Sequence, residues 1–149
     1  MTIWTDAQFD SLSWHDNHVH ALRIIEGPHG TGTLALDIDY ILEWLPSEER
    51  KGYRFRICPA ELRFLNVTDL RIRLDYATAT AAVGPFSLAG ISRREEARQH
   101  YTAQIWTLAI NWPGGEISFA ASGFEQVATG GPVVAEQQWL AAQQRVERR

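Results

Sequence analysis

The chain has 149 residues, 45% of them hydrophobic, and a formal net charge of −4. A chain of this length is typical of one domain and buries roughly 70% of its unfolded surface, so it needs neither a disulfide nor a metal to hold a core. The acidic balance argues against a nucleic-acid binder, which would usually show a basic patch. Cys58 is the only cysteine, so no internal disulfide forms, which fits a reducing compartment.

The N-terminal residues 1–6 lack the basic and apolar regions of a signal peptide. No apolar run approaches the roughly 18–20 residues that a membrane helix needs. These two observations predict a cytoplasmic protein that has no membrane contact.

The first third of the chain predicts a short helix and then a hairpin. Thr5 and Gln8 have capping-box spacing, so a helix is expected over residues 5–12. Strands are expected at about 16–26 and 33–44, joined by a turn rich in Gly and Pro. The second strand alternates, with one apolar and one more polar face: Leu34, Leu36, Ile38 and Tyr40 against Thr33, Ala35, Asp37 and Asp39.

A third strand is expected from Tyr53, with Arg54 and Arg56 pointing outward and Pro59 ending it, because Pro lacks a ladder donor. Alternation predicts further strands at 61–67, 69–75, 86–91, 101–112, 116–121 and 124–127. One face of the strand at 101–112 is expected to be buried: Trp106, Leu108, Ile110 and Trp112. Residues 92–100 suit a solvated turn or a helix end, 137–142 a helix, and 145–149 a frayed tail.

These elements predict a mainly β protein in which residues 1–149 form a single domain. About eight strands with turn signals at short intervals favour an antiparallel sheet folded as a sandwich or an open barrel. Short helices are expected at the N- and C-terminal ends. A parallel α/β fold is disfavoured, because no helical pattern separates consecutive strands.

The segment from His15 to His20 is the first candidate for a polar site. If it is extended, Asp16, His18 and His20 point to one face, and two imidazoles with a carboxylate can bind a divalent metal. The alternative is structural: His15 and Asp16 fix the entry into the strand, and His18 and His20 are ordinary sheet-surface residues. No metal and no other cofactor is expected, with Asp16, His18 and His20 as weak metal candidates.

Asp37 and Asp39 form the second candidate, because both carboxylates fall on one strand face about 6.5 Å apart. Two close carboxylates can separate their pKa values and act as acid and base. The competing interpretation is a cross-strand charge ladder with Arg54 and Arg56, which are outward-facing at the same spacing. Such a ladder requires no substrate.

The aromatic residues and the cysteine give weaker indications. Tyr40 and Trp106 share phase with aliphatic residues, so they are expected in the core. Trp44 ends a strand beside a charged loop and is expected at the surface, where it would suit a ligand or a protein partner. Cys58 is expected to be a buried, inert thiol.

The W-H-D sequence at Trp14–Asp16 and the L-D-I-D-Y sequence at Leu36–Tyr40 resemble a group of small bacterial proteins of unknown function. The resemblance covers about the first third of the chain and implies no activity and no functional residue. In size and charge the chain is also similar to bacterial immunity proteins.

Two functional hypotheses follow from the sequence. The first is a non-enzymatic binding or protein-interaction module, immunity-like in character, whose partner is a protein or a small molecule and not a nucleic acid. The second is a metal-assisted or acid–base hydrolase built on residues 15–20 with Asp37 and Asp39. The first predicts that Asp37 and Asp39 are paired, and the second that these side chains converge on one ion or one substrate.

Overall fold

The structure is a computed structural model that describes residues 2–49 and 51–146. It contains ten strands in the described residues: β1 (Ile3–Thr5), β2 (His18–Glu26), β3 (Gly32–Pro46), β4 (Tyr53–Leu65), β5 (Thr68–Leu74), β6 (Phe86–Ala97), β7 (Thr102–Trp112), β8 (Gly115–Ala120), β9 (Gly123–Ala128) and β10 (Val133–Ala135). The sequence predicted about eight. The two segments expected on either side of Pro59 are one strand, β4, whereas β1 and β10 are three residues long and carry too little alternation to recognise.

All strand pairs are antiparallel, and the sheet order is β1-β9-β4-β3-β2-β6-β7-β8-β5, with β10 pairing to β4 beside β9. The strands β2 and β6 pair only where His18 and Val19 meet Ser87 and Phe86. This short junction divides the open sheet into a first half (β1, β9, β4, β3, β2) and a second half (β6, β7, β8, β5). The predicted antiparallel sheet folded on itself is therefore confirmed.

The main core lies between the two halves. β3 contributes Leu34, Leu36, Ile38 and Tyr40, as its alternation predicts, and the second half contributes Trp106 and Leu108 among others. Trp112, which was expected on the same buried face of β7, is instead 45% exposed. It occupies the last position of β7, where it lies beyond the edge of the core.

A second, smaller apolar cluster forms on the opposite side of the first half, which we call the outer face. It contains Ile41, Phe55, Ile57, Ala135 and Leu140. Because Asp37 and Asp39 alternate with the core residues Leu36 and Ile38, they also belong to the outer face. The outer face is thus partly apolar and partly charged.

The helices are short. A 3-10 helix spans Asp6–Ser11, and Thr5 and Gln8 form the predicted capping box. A second 3-10 turn covers Pro28–Gly30, and the only α-helix in the described residues is α1 (Ala142–Val146). The C-terminal helix therefore begins at Ala142, not at residue 137 as predicted. No helix in the described residues is long and apolar enough to cross a membrane.

Two predicted strand boundaries are wrong. β4 continues through Pro59, whose carbonyl accepts from Thr129 N at 2.8 Å in the gap between the β9 and β10 pairings. The N–H and the C=O of one strand residue point the same way. An N–H at residue 59 would therefore face the same gap as the carbonyl, and not a residue of the β9 or β10 pairing. Residues 92–97 are strand, because the charged residues of β6 lie on a hairpin with β7 whose exposed positions tolerate charge.

Candidate functional site

Asp37 and Asp39 lie on the outer face beneath the C-terminal part of the chain. Asp39 is fully buried at 0% exposure, whereas Asp37 is partly buried. A fully buried carboxylate requires hydrogen-bond donors or a counter-charge, because removing its charge from water is costly. The structure supplies both from residues that follow β10.

Arg145, in α1, bonds to both carboxylates. Its two terminal nitrogens donate separately, one to Asp37 Oδ1 and the other to Asp39 Oδ1, and Arg145 itself is only 5% exposed. The backbone N–H of Leu140 donates to Asp39 Oδ2 at 2.9 Å. Asp39 therefore holds two separate points of the C-terminal segment against β3.

The predicted ladder of Asp37 and Asp39 with Arg54 and Arg56 does not form. The β3–β4 register places Asp37 opposite Glu61 and Asp39 opposite Pro59. Arg56 lies opposite Glu43 and pairs with its carboxylate at 3.1 Å, and Arg54 pairs with Glu136 at 3.3 Å. Two differences separate these groups. The register moves the arginines several positions along the sheet. Arg54 and Arg56 also alternate with Phe55 and Ile57 of the outer-face cluster, so they point to the opposite face from Asp37 and Asp39.

Glu61, which lies opposite Asp37, is the centre of a different charge cluster on the outer face. Glu61 accepts from Arg23 at 2.9 Å on one side and from Arg63 at 2.6 Å on the other. Ala35 lies directly between Arg23 and Arg63 in the strand register. Its small side chain leaves room above the strand for the longer groups to meet.

The histidines of the first candidate segment lie at the edge of this cluster. A bulge in β2 falls between Val19 and Ala21, and His20 Nε2 lies 2.7 Å from Asp39 Oδ2. The ring of His18 packs against Trp139, with 4.8 Å between ring centroids. His15 instead stacks on Trp44, at 6.2 Å and an interplanar angle of 17°.

Asp16 holds a left-handed backbone conformation with φ of 62°, which Asp tolerates better than most residues. Its two carboxylate oxygens are used separately. Oδ1 accepts from Asn111 Nδ2 at 2.7 Å, and Oδ2 accepts from Gln138 Nε2 at 2.9 Å. Asp16 therefore joins the start of β2 to the end of β7 and to the C-terminal segment.

The weak metal candidates Asp16, His18 and His20 have different side-chain contacts. The Asp16 carboxylate accepts from two amides, the His18 ring packs against Trp139, and His20 contacts Asp39. One link among the three runs from His18 Nδ1 to the backbone oxygen of Asp16, at 3.3 Å. In the part of the chain that the structure describes, no group of three or more His, Cys, Asp or Glu side chains converges on a point where a metal ion would fit. The contacts of these residues instead have a structural role. They hold residues 133–146, which we call the C-terminal arm, on the outer face.

Sequence reasoning missed the partners that the arm contributes: Gln138, Leu140 and Arg145. Trp139 was placed only within the helix expected over residues 137–142, and Arg145 was assigned to a frayed tail. Arg145 is in fact buried in α1, while residues 147–149 of that tail lie outside the described residues. The one signal for the arm was the hydrophobic pair Trp139-Leu140 within an otherwise polar stretch.

Burial lowers the pKa of His18 from its ordinary value of 6.5, although the Asp16 carbonyl and the Asp39 charge oppose the shift. The unfolded chain therefore takes up this proton at a higher pH than the folded protein does. We expect the His18 contribution to stability to be present above pH 6.5 and to be lost as the pH falls below it toward the lowered folded-state pKa. Urea unfolding midpoints of the wild type and of His18→Gln, compared between about pH 7.5 and 5.5, measure this difference. Equal pH dependence in both proteins would contradict the assignment to His18.

An aromatic patch lies beside the arm at the end of the β3–β4 hairpin. Trp44 and Tyr53 are 41% and 47% exposed, and their rings contact each other at 5.6 Å. Trp44 also packs edge-on against Phe55 of the outer-face cluster at 5.0 Å. The predicted exposure of Trp44 is confirmed, and we use the term aromatic patch for Trp44, Tyr53 and the stacked His15.

Two clefts lie away from the polar cluster. One of about 420 Å³ is lined by residues at the start of β7 and the end of β8, such as Tyr101 and Ala120. The other, of about 530 Å³, is lined by Trp4, Leu42, Cys58 and residues 128–132. Cys58 Sγ donates to Gly130 O at 3.2 Å, and burial raises the pKa of the thiol, which disfavours the nucleophilic thiolate. Neither cleft includes a residue of the predicted polar site.

Comparison of the chain with protein families and with curated proteins finds no match, and comparison of its fold with solved structures finds none either.

Proposed function

We propose that this chain is a non-enzymatic binding module that acts through protein–protein contact. The observation that carries the proposal is the state of Asp39, which is fully buried and bonded to His20, to Leu140 N and to Arg145. A general acid or base must reach the proton that it transfers. The carboxylate is instead covered by the chain's own C-terminal arm.

The metal-assisted or acid–base hydrolase is the competing hypothesis. It would use Asp37, Asp39 and the segment from His15 to His20. His20 contacts Asp39, but Arg145 binds both carboxylates, and the rings of His15 and His18 pack against Trp44 and Trp139. Titration of the untagged protein with Zn²⁺ and Mn²⁺ in a calorimeter tests it. Binding of one ion per chain, lost in His18→Gln or His20→Gln, would favour the hydrolase over the binding module.

The aromatic patch is the surface that best suits a protein partner. Trp and Tyr are enriched at interfaces and carry much of their binding energy, because they bury large area at low entropic cost. Trp44 packs against Phe55 and stacks on His15, and Tyr53 contacts the ring of Trp44. They therefore present a surface whose geometry is already set before a partner binds.

The double variant Trp44→Ala, Tyr53→Ala tests the patch. We expect it to weaken the complex with the physiological partner by at least about 2 kcal/mol, or roughly 30-fold in Kd, because such residues are typical hot spots. The partner is captured with the wild type, identified by mass spectrometry and then titrated in purified form by calorimetry.

Trp112→Ala is the matched control, since Trp112 is 45% exposed and lies on β7 at the other side of the β2–β6 junction. It should leave the affinity unchanged. Equal affinity of the wild type and the double variant, with both proteins folded, would contradict a role for the aromatic patch.

A further inference from the structure

The C-terminal arm lies on the outer face as a bound peptide would. β10 adds three residues to the side of β4, pairing Val133 with Ile57 and Ala135 with Phe55, next to the positions that β9 occupies. Adding a strand to a sheet is a common way in which proteins recognise extended peptides. Beyond β10 the arm runs over the polar cluster and ends in α1.

Few side chains of the arm are buried, although Glu136, Gln138 and Trp139 also contact residues outside the arm. Of residues 133–145 only Ala135, Leu140 and Arg145 are buried, at intervals of five residues. Leu140 and Ala135 enter the small apolar cluster of the outer face, and Arg145 enters the pair of carboxylates. These three buried residues are the anchors of the arm: the apolar ones contact apolar side chains of the sheet, and the arginine contacts carboxylates. The residues between the anchors are mostly exposed.

A short loop connects the arm to β9 of the sheet. Gly130-Gly131-Pro132 joins β9 to β10 without regular secondary structure. Two glycines in sequence give the backbone freedom, and Pro132 cannot extend the β9 ladder. The arm is thus attached through a segment that allows it to leave the outer face without disturbing β9.

From these contacts we infer that the outer face of β2, β3 and β4 is a recognition groove for an extended protein segment, and that the arm is its internal occupant. The inference rests on the proposed binding function and names the partner's chemistry. The partner segment presents a short apolar strand, a leucine about five residues later and an arginine about five residues after that. The arginine is essential, because Asp39 would otherwise remain buried without its counter-charge.

Occupation by the arm controls access to the groove. An external segment binds only to molecules in which the arm has lifted, so its apparent affinity is reduced by the fraction of molecules in that state. A tethered occupant also competes at a high effective concentration. Weakening the anchors of the arm should therefore strengthen binding of an external segment with the same anchors.

The test uses a fluorescent synthetic peptide with the sequence of residues 131–149. It is added to the full-length wild type and to the full-length Leu140→Ser, Arg145→Gln double variant, and binding is followed by anisotropy. We expect the peptide to bind the double variant about tenfold or more tightly than the wild type. Circular dichroism confirms that the variant is folded, and if it is not, Arg145→Gln alone takes its place.

A peptide that carries the same two substitutions is the matched control, and we expect it not to bind the variant. Two results would overturn the inference: no binding of the unsubstituted peptide to the folded variant, or equal binding of both peptides. Neither result depends on the aromatic patch. Failure here with an intact effect of Trp44 and Tyr53 would remove the groove alone and leave the binding module in place.

Discussion

The Asp39→Ala variant is expected to unfold with a free energy about 3 kcal/mol or more below that of the wild type, as measured by urea denaturation. The substitution removes the acceptor for Arg145 and for Leu140 N and the neighbour of His20. Arg145 is 5% exposed, so its charge either stays buried beside Asp37 alone or leaves together with the arm. In both cases the docking of the arm is lost, and amide hydrogen exchange over residues 133–146 should accelerate.

Glu43→Ala is the control for this experiment, because Glu43 lies on the same strand and also pairs with an arginine. The pair with Arg56 has side-chain exposures of 53% and 46%, and such exposed pairs contribute less than about 1 kcal/mol. Asp37→Ala should fall between the two, since Arg145 keeps Asp39 as a partner. A loss in Asp39→Ala as small as that in Glu43→Ala would mean that the buried bonds contribute no net stability.

The two faces of β3 were predictable from the sequence, and the partners of its acidic residues were not. Alternation alone places Leu36 and Ile38 inward and Asp37 and Asp39 outward. The ladder with Arg54 and Arg56 needed both the register between β3 and β4 and the face to which the arginines point, and a charged loop of several residues specifies neither as a two-residue turn would. Phe55 and Ile57 enter the outer-face cluster, so Arg54 and Arg56 point away from it. In the structure Asp37 lies opposite Glu61 instead.

The contacts of the C-terminal arm were even harder to predict from the sequence. Arg145 is 106 residues from Asp39 in the sequence, and Leu140 is 101 residues from it. No local periodicity encodes a contact at that separation, and a polar segment with one Trp-Leu pair looks like a marginal helix. The need for such a partner follows only from the burial of Asp39, which the structure shows and the alternation of β3 does not predict.

β6 shows a further limit of local reasoning. Its second part, with Arg93, Arg94, Glu95 and Glu96 in sequence, lacks the apolar alternation that predicts a strand. It is nevertheless paired with β7 residue by residue, Arg94 opposite Ile105 and Glu96 opposite Ala103. The first part of β6 packs in the main core, and hairpin pairing with β7 continues the strand beyond it. The charges at this open edge also discourage pairing with other chains.

The Trp106→Ala variant should lose about 3–5 kcal/mol of unfolding free energy, which is the usual cost of removing a large aromatic side chain from a packed core. Trp106 is 0% exposed and lies among Phe9, Phe64 and Phe124, with ring centroids 5.4 to 5.7 Å away. It bridges the halves of the sheet, because Phe64 belongs to β4 and Phe124 to β9 in the first half, whereas Trp106 belongs to β7 in the second.

Trp112→Ala provides the comparison for Trp106, since the two residues have the same chemistry on the same strand and differ mainly in burial. With Trp112 45% exposed, its removal should change the unfolding free energy by less than about 1 kcal/mol. Trp106→Phe should fall between the two, because it retains most of the ring volume and removes the indole N–H that donates to Ala121 O at 3.2 Å. The two alanine variants are expected to differ because Trp106 is buried between the halves of the sheet and Trp112 is not. Similar losses of unfolding free energy in both would mean that Trp106 is not the main contact between the halves.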